Sequence, residues 1–161
     1  MLTTGKYQSI VSRGLTTATA QFYGILETPE KTYFSYHHPE DSLVPIAAKI
    51  RLPDKQHSIV GEWKDAGLFG QHLFSAGSSK YVTITEGEFD AAASYQMQGS
   101  KYPVVSVRNG ASGALKDCKA AYEWLDSFEA IVISMDSDEP GQKAAREIAE
   151  LFGGKSAVMK N

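Results

Sequence analysis

The chain predicts an α/β fold, a mostly parallel sheet flanked by helices, preceded by a small α+β subdomain. Three observations carry this. After Gly77-Ser78-Ser79 the sequence alternates short β-branched runs with longer helical stretches, which is how a parallel sheet with right-handed crossovers is written. Two of those runs, in YVTITEGEFD (Tyr81–Asp90) and IVISMDSD (Ile131–Asp138), end abruptly in carboxylates. Before Gly77 the pattern is that of a hairpin with no such alternation.

Taken in order, Gly5 to Tyr23 reads as a short helical opening with a turn at Arg13-Gly14. Thr28-Pro29-Glu30-Lys31 has turn chemistry, Thr32–Tyr36 is a strand, His37–Ser42 a polar loop and Val44–Leu52 the return strand. Glu62–Phe74, broken by Gly67 and Gly70, is read as an irregular segment docking onto the following domain. The boundary falls at Gly77–Ser79, giving domains 1–77 and 78–161. Strands then follow at Tyr81–Thr85, Val104–Val107 and Ala130–Met135, with helices at Asp90–Met97, Ala114–Leu125 and Gly141–Phe152. Pro140 opens the last helix and Gly153-Gly154 closes it. A final strand begins at Ser156, and the sequence stops so soon after it that the chain reads as a piece of something longer.

Bulk properties narrow the function. At 161 residues and 42% hydrophobic the chain suffices for one medium domain or a compact domain with a companion. No apolar run approaches the ~20 residues of a membrane span, and MLTTGKYQSI lacks the pattern of a secretory signal. A single cysteine, Cys118, excludes an internal disulfide and a CxxC zinc knuckle, so a reducing, cytoplasmic setting is expected. Net charge is −3. Residues 1–77 balance seven basic against seven acidic side chains, while 78–161 hold nine against twelve.

The acids carry the chemistry. Glu86 ends an apolar strand, and Gly87 allows a sharp strand-to-helix turn. Strand carboxyl ends are where open α/β sheets place ligands. Asp136 and Asp138, two apart, leave the same face of extended chain. Carboxylates converging without a basic residue among them repel and call for a cation; hard oxygen donors without His or Cys suit Mg²⁺ rather than zinc. Helix-dipole stabilisation accounts equally well for Asp90, and better for Glu88, and Asp138 is also placed to N-cap the next helix. Arg108-Asn109-Gly110-Ala111-Ser112-Gly113 offers backbone N–H groups to an anion, or is a plain turn capped by Ser112. Lys49, Arg51 and Lys55 either grip phosphates or form a solvated face. His37, His38 and His72 lack a further ligand, and Cys118 reads as buried packing.

With Glu86, Asp90, Asp136 and Asp138 in place, the C-terminal part resembles the Toprim domain shared by primases, topoisomerases and some nucleases, whose signature is EG…D followed by DxD. GLFGQHLF (Gly67–Phe74), KYPVVSVRNGASGA (Lys101–Ala114), YEWLDSFEAIVISMDSDEPGQKA (Tyr122–Ala144) and SRGLTTATAQFYGI extend the likeness to the primase half of phage primase–helicases, relatives of the mitochondrial helicase Twinkle. The resemblance implies a DNA primase joining ribonucleoside triphosphates on a single-stranded DNA template. It implies Glu86, Asp136 and Asp138 as ligands of Mg²⁺ (or Mn²⁺), with Asp90 in or beside them as a further catalytic acid. Lys49, Arg51 and Lys55 match basic positions that hold nucleotide and template, and Arg108, Asn109 and Gly110 join them as candidate substrate contacts. A helicase domain in the same parent chain is the expected partner. The sequence departs from the pattern in lacking a Cys-rich zinc module, a Walker motif and the further acid expected beyond Asn161. A non-catalytic DNA-binding module and a Toprim nuclease are the competing readings.

Overall fold

A computed structural model describes residues 5–41 and 43–159; Ser42 of the polar loop and Lys160 and Asn161 after the final strand lie outside them. The chain forms two compact units that divide between Leu73 and Phe74. Residues Phe74–Gly77, assigned by sequence to the first domain, therefore belong to the second. There the Phe74 ring packs against Tyr95 (centroids 5.5 Å apart) and its carbonyl accepts the Trp124 indole N–H at 3.0 Å. Gly77 N–H donates to Ser127 Oγ at 2.8 Å.

In the first unit, Ile10 and Leu15 pair around a 3-10 turn, Val11–Arg13, which turns out through Gly14 at φ +67°. Helix α1 (Thr17–Tyr23) is capped at Thr16, whose hydroxyl accepts the Thr19 N–H at 3.2 Å. The sheet is antiparallel in the order β1 (Ile25–Glu27), β2 (Thr32–Tyr36), β3 (Ala47–Arg51), β4 (His57–Gly61). It is thus four-stranded rather than the expected hairpin, and the return strand is shorter than 44–52. Its core is aromatic. Phe69 stacks on Tyr23 at 5.7 Å and meets Phe34 and Tyr36 at 6.0 and 5.4 Å, and all four rings are essentially buried. The Glu62–Phe74 segment, expected to dock on the following domain, thus places its central ring in the first unit's core. The reason is apolar area: Leu68-Phe69 is the most hydrophobic part of the segment, and burying one such ring contributes roughly 1.5–3 kcal/mol.

The second unit is β5 (Tyr81–Thr85), α2 (Glu88–Met97), β6 (Val104–Ser106), α3 (Gly110–Ala120), α4 (Tyr122–Asp126), β7 (Ala130–Ser134), α5 (Glu139–Phe152) and β8 (Ser156–Val158). All pairings are parallel, in the order β6-β5-β7-β8. The single helix expected at 114–125 is two, starting earlier and interrupted at Ala121. Val82, Ile84, Ile131 and Ile133 are fully buried, as β-branched residues on a covered face should be. Helix α5 presents Gly141, Ala144, Ala145, Ile148 and Phe152 inward, one stripe at helical spacing, and packs on α3, β7 and β8. Helix α2 packs on β5 and β6. Among the described residues no helix is long and apolar enough to cross a membrane.

Candidate active site

The central pair of strands builds the site. Parallel register sets Thr85 beside Ser134, so the residues leaving the two strands emerge side by side. Asp136 N–H donates to Glu86 Oε1 at 3.1 Å. Two acids separated by 50 residues in sequence are thereby joined through backbone and carboxylate. Thr85 Oγ1 bonds to the carbonyls of Gly87 (3.0 Å) and Val105 (3.2 Å), tying the turn after β5 to the neighbouring strand. Gly87 itself has φ −132°, extended backbone open to any residue, so the unusual dihedrals expected there are not used. Its small size matters more: a Cβ would come within 3.1 Å of Asp90 Oδ2.

The 136–138 turn is held from several sides. Asp138 is the N-cap of α5, its Oδ1 accepting the Gly141 N–H at 2.9 Å. Gln142 Nε2 donates to the Asp136 carbonyl at 2.9 Å. Gly141 lies so close that a Cβ would stand 2.3 Å from the Asp136 oxygen. Asp136 and Asp138 are exposed, and Glu86 is half-buried. Partial burial pushes the Glu86 carboxyl above the usual carboxylate range; the Asp136 N–H bond opposes this, while the charges of Asp136 and Asp138 add to it. Asp90, exposed in the first turn of α2, joins Asp136 in lining an open cavity of about 650 Å³ floored by Thr83, Thr85 and Ser134. Glu88, on the same turn, is buried.

Among the described residues no three His, Cys, Asp or Glu side chains close on one point. The donor set nonetheless fits a hard divalent cation. It is all carboxylate oxygen, it is solvent-accessible, and its like charges disfavour ionisation of Glu86. Mg²⁺ is ordinarily held by one or two carboxylates, with waters and substrate phosphate completing its shell.

Arg108 is anchored to the buried Asp117, its N–H bonding to Oδ2 at 2.8 Å and its Nε to Oδ1 at 3.3 Å. Asn109 takes the cap position of α3 without a side-chain bond, and Gly110 at φ +68° supplies the left-handed bend that starts the helix; Ser112 lies inside α3 rather than capping it. Burial first, and the charge of Asp117 second, push the Cys118 thiol up to about 12, in keeping with packing.

In the first unit, Lys49 and Arg51 share one face of β3. Lys49 is 7% exposed, so it is not on a solvated face, and its Nζ lies 5.9 Å from the centre of the Trp63 ring, which meets Tyr36 edge-on at 4.7 Å. Lys55 sits in the β3–β4 turn at φ +68°. Sequence reasoning missed Gln142, Gly141 and Trp63. A glutamine one turn into the helix after a DxD pair was the available signal for the first; Trp63 had none.

A parallel sheet of this order, with acids at the ends of its two central strands, defines a Toprim-like α/β domain, and residues 83–160 match the family described as Toprim-like. The chain belongs more narrowly to the primases of phage primase–helicases. It is 36% identical over 157 residues to the DNA helicase/primase of Enterobacteria phage T3, which covers 96% of this chain and 27% of that protein. It superposes on the primase fragment of the bacteriophage T7 primase-helicase with a TM-score of 0.84 at 36% identity, covering 97% of this chain and 66% of that one. A second solved structure gives 0.83 at 36% identity, covering 97% and 80%. It is described as bacteriophage T7 lagging-strand DNA polymerase interacting with primase domains bound to an RNA/DNA hybrid and dTTP.

Proposed function

We propose that this chain is the catalytic core of a DNA primase, joining ribonucleoside triphosphates on single-stranded DNA to make RNA primers. The observation that supports it best is the Glu86–Asp136 pairing beside Asp138 at the carboxyl ends of β5 and β7, in a chain of the primase family. Glu86 and Asp136, with the free oxygen of Asp138, would hold Mg²⁺ or Mn²⁺, and Asp90 shares a cavity with Asp136. A divalent ion bound there supplies charge stabilisation on the transferring phosphoryl group and a lowered pKa for the attacking 3′-hydroxyl. The protein's share is placement. Glu86 and Gln142 fix the Asp136 backbone, and the Asp138–Gly141 cap fixes the turn. Lys49, Arg51 and Lys55, with Arg108, Asn109 and Gly110, are the proposed contacts to nucleotide and template. A helicase domain in the same polypeptide, and work in a bacterial host's cytoplasm, complete the reading.

The test is primer synthesis from labelled ribonucleotides on single-stranded DNA with Mg²⁺ or Mn²⁺. Glu86→Gln and Asp136→Asn should each reduce it at least 100-fold, in line with loss of a charge-stabilising group. Synthesis at the unmodified rate by the double variant overturns the proposal. Cleavage of supplied DNA without any nucleotide requirement would assign the site to a nuclease instead.

A further inference from the structure

At the end of the parallel sheet opposite the acids, four side chains form one cluster. Lys80 and Tyr81 lead into β5, and Lys101 and Tyr102 lead into β6. The two rings meet edge to face, centroids 5.4 Å apart and planes at 84°. Lys80 Nζ stands 5.5 Å from the centre of the Tyr81 ring, and Lys101 Nζ 5.3 Å from that of Tyr102. Both lysines are exposed, as is Tyr81, while Tyr102 is half-buried. Neither lysine forms an ion pair with a described residue. Of the other charges at this end, Asp126 is paired with Lys155 at 3.0 Å. Glu129 precedes Ala130, whose N–H bonds to the Lys80 carbonyl.

A lysine stem laid along a ring is ordinary surface packing. What ordinary packing leaves unexplained is two such pairs converging on adjacent strands of an acidic unit. Ammonium groups interleaved with accessible aromatic faces are the means by which proteins hold single-stranded nucleic acid, phosphates on the cations and bases on the rings. An acidic protein segment would use the lysines and leave the rings idle. We propose that Lys80, Tyr81, Lys101 and Tyr102 form a second nucleic-acid contact, where a single strand stacks a base on Tyr81 and sets its phosphates against the two lysines. At ~3.3 Å per residue, strand β5 separates this cluster from the acids by about 16 Å. It therefore works without a divalent ion, and it holds whether or not the acids catalyse synthesis.

The experiment titrates the 161-residue chain into a fluorescently labelled oligothymidylate with EDTA present, following anisotropy over a salt series. Tyr81→Leu, which keeps apolar bulk but no π-face, should weaken binding about 5- to 100-fold, and Tyr81→Phe should bind as the parent does. The double change Lys80→Gln with Lys101→Gln should lower the log–log salt slope by about 1.4, at roughly 0.7 per phosphate contact on a single strand. An unchanged slope in the lysine variant overturns the proposal, and so does unchanged affinity in Tyr81→Leu, provided each variant keeps the parent's thermal transition. A cluster serving a protein partner gives that same unchanged titration. Failure of metal-dependent synthesis leaves these readouts untouched, so the two proposals fail separately.

Discussion

Asp138 caps α5 and is the proposed ligand of an ion, two roles that a single substitution can separate. Its Oδ1 accepts the Gly141 N–H, and the second oxygen is the one proposed to reach an ion. Asp138→Asn keeps the cap acceptor and removes the charge; the expected outcome is an unchanged melting temperature with a higher Mg²⁺ requirement in the primer assay. Asp138→Ala should lose about 1 kcal/mol of stability as well, measured by denaturant unfolding. The cap was legible in the sequence beside the competing ligand reading, because a carboxylate preceding Glu-Pro-Gly is equally suited to either; the folded turn shows that the cap is used. His72 was less readable. Its ring stacks on His37 at 3.6 Å and 16°, where burial first and the His37 charge second lower its pKa to about 3. His37 is itself lowered by burial, against the pull of Asp41, and its Nδ1 is buried without a hydrogen-bond partner among the described residues. The folded protein therefore refuses a proton that the unfolded chain accepts below the ordinary ~6.5. Stability present above that pH should fall toward pH 3 by up to about 1.4 kcal/mol per unit. His72→Phe should flatten this acid limb in a plot of melting temperature against pH.

Among the elements, the entry to α5 is the tightest. A methyl at Gly141 would meet the Asp136 carbonyl at 2.3 Å and Asp138 Oδ1 at 2.8 Å, contacts that only backbone movement relieves. Gly141→Ala should cost about 1–3 kcal/mol and displace both acids, so that denaturation midpoint and primer synthesis fall together. Elements with strong periodicity and clear ends were readable: Thr32–Tyr36, Tyr81–Thr85 and the helix through Phe152 lie where their patterns put them. Strand β1 was missed because it is three residues long, directly after the Gly24 cap. Strand β4 was missed because His57-Ser58-Ile59-Val60-Gly61 is largely exposed and shows no alternation; its pairing with β3 decides its conformation. The break at Ala121 has no local breaker to announce it.

For the molecule as a whole, charge is the organising quantity. The excess of acid lies entirely in residues 78–161, and its most crowded part is the Glu86–Asp136–Asp138 turn, where the proposed ion would relieve repulsion on binding. Mg²⁺ should therefore raise the melting temperature of the chain. A ligand at 100 times its Kd stabilises by about 2.7 kcal/mol, or roughly 5–10 °C for a protein of this size. Glu86→Gln should abolish most of that gain in a calorimetric scan.

The parallel alignment of β7 on β5 has one more consequence. Strand faces alternate with a period of two, so a slip of one residue would turn Asp136 away from Glu86 and expose Ile131 and Ile133. The acidic pocket cannot exist in part. It comes into being only when a loop containing a helix, a strand and two more helices has closed, which would make capture of the proposed divalent ion a late milestone and a stringent reporter of the chain's arrival at its native state.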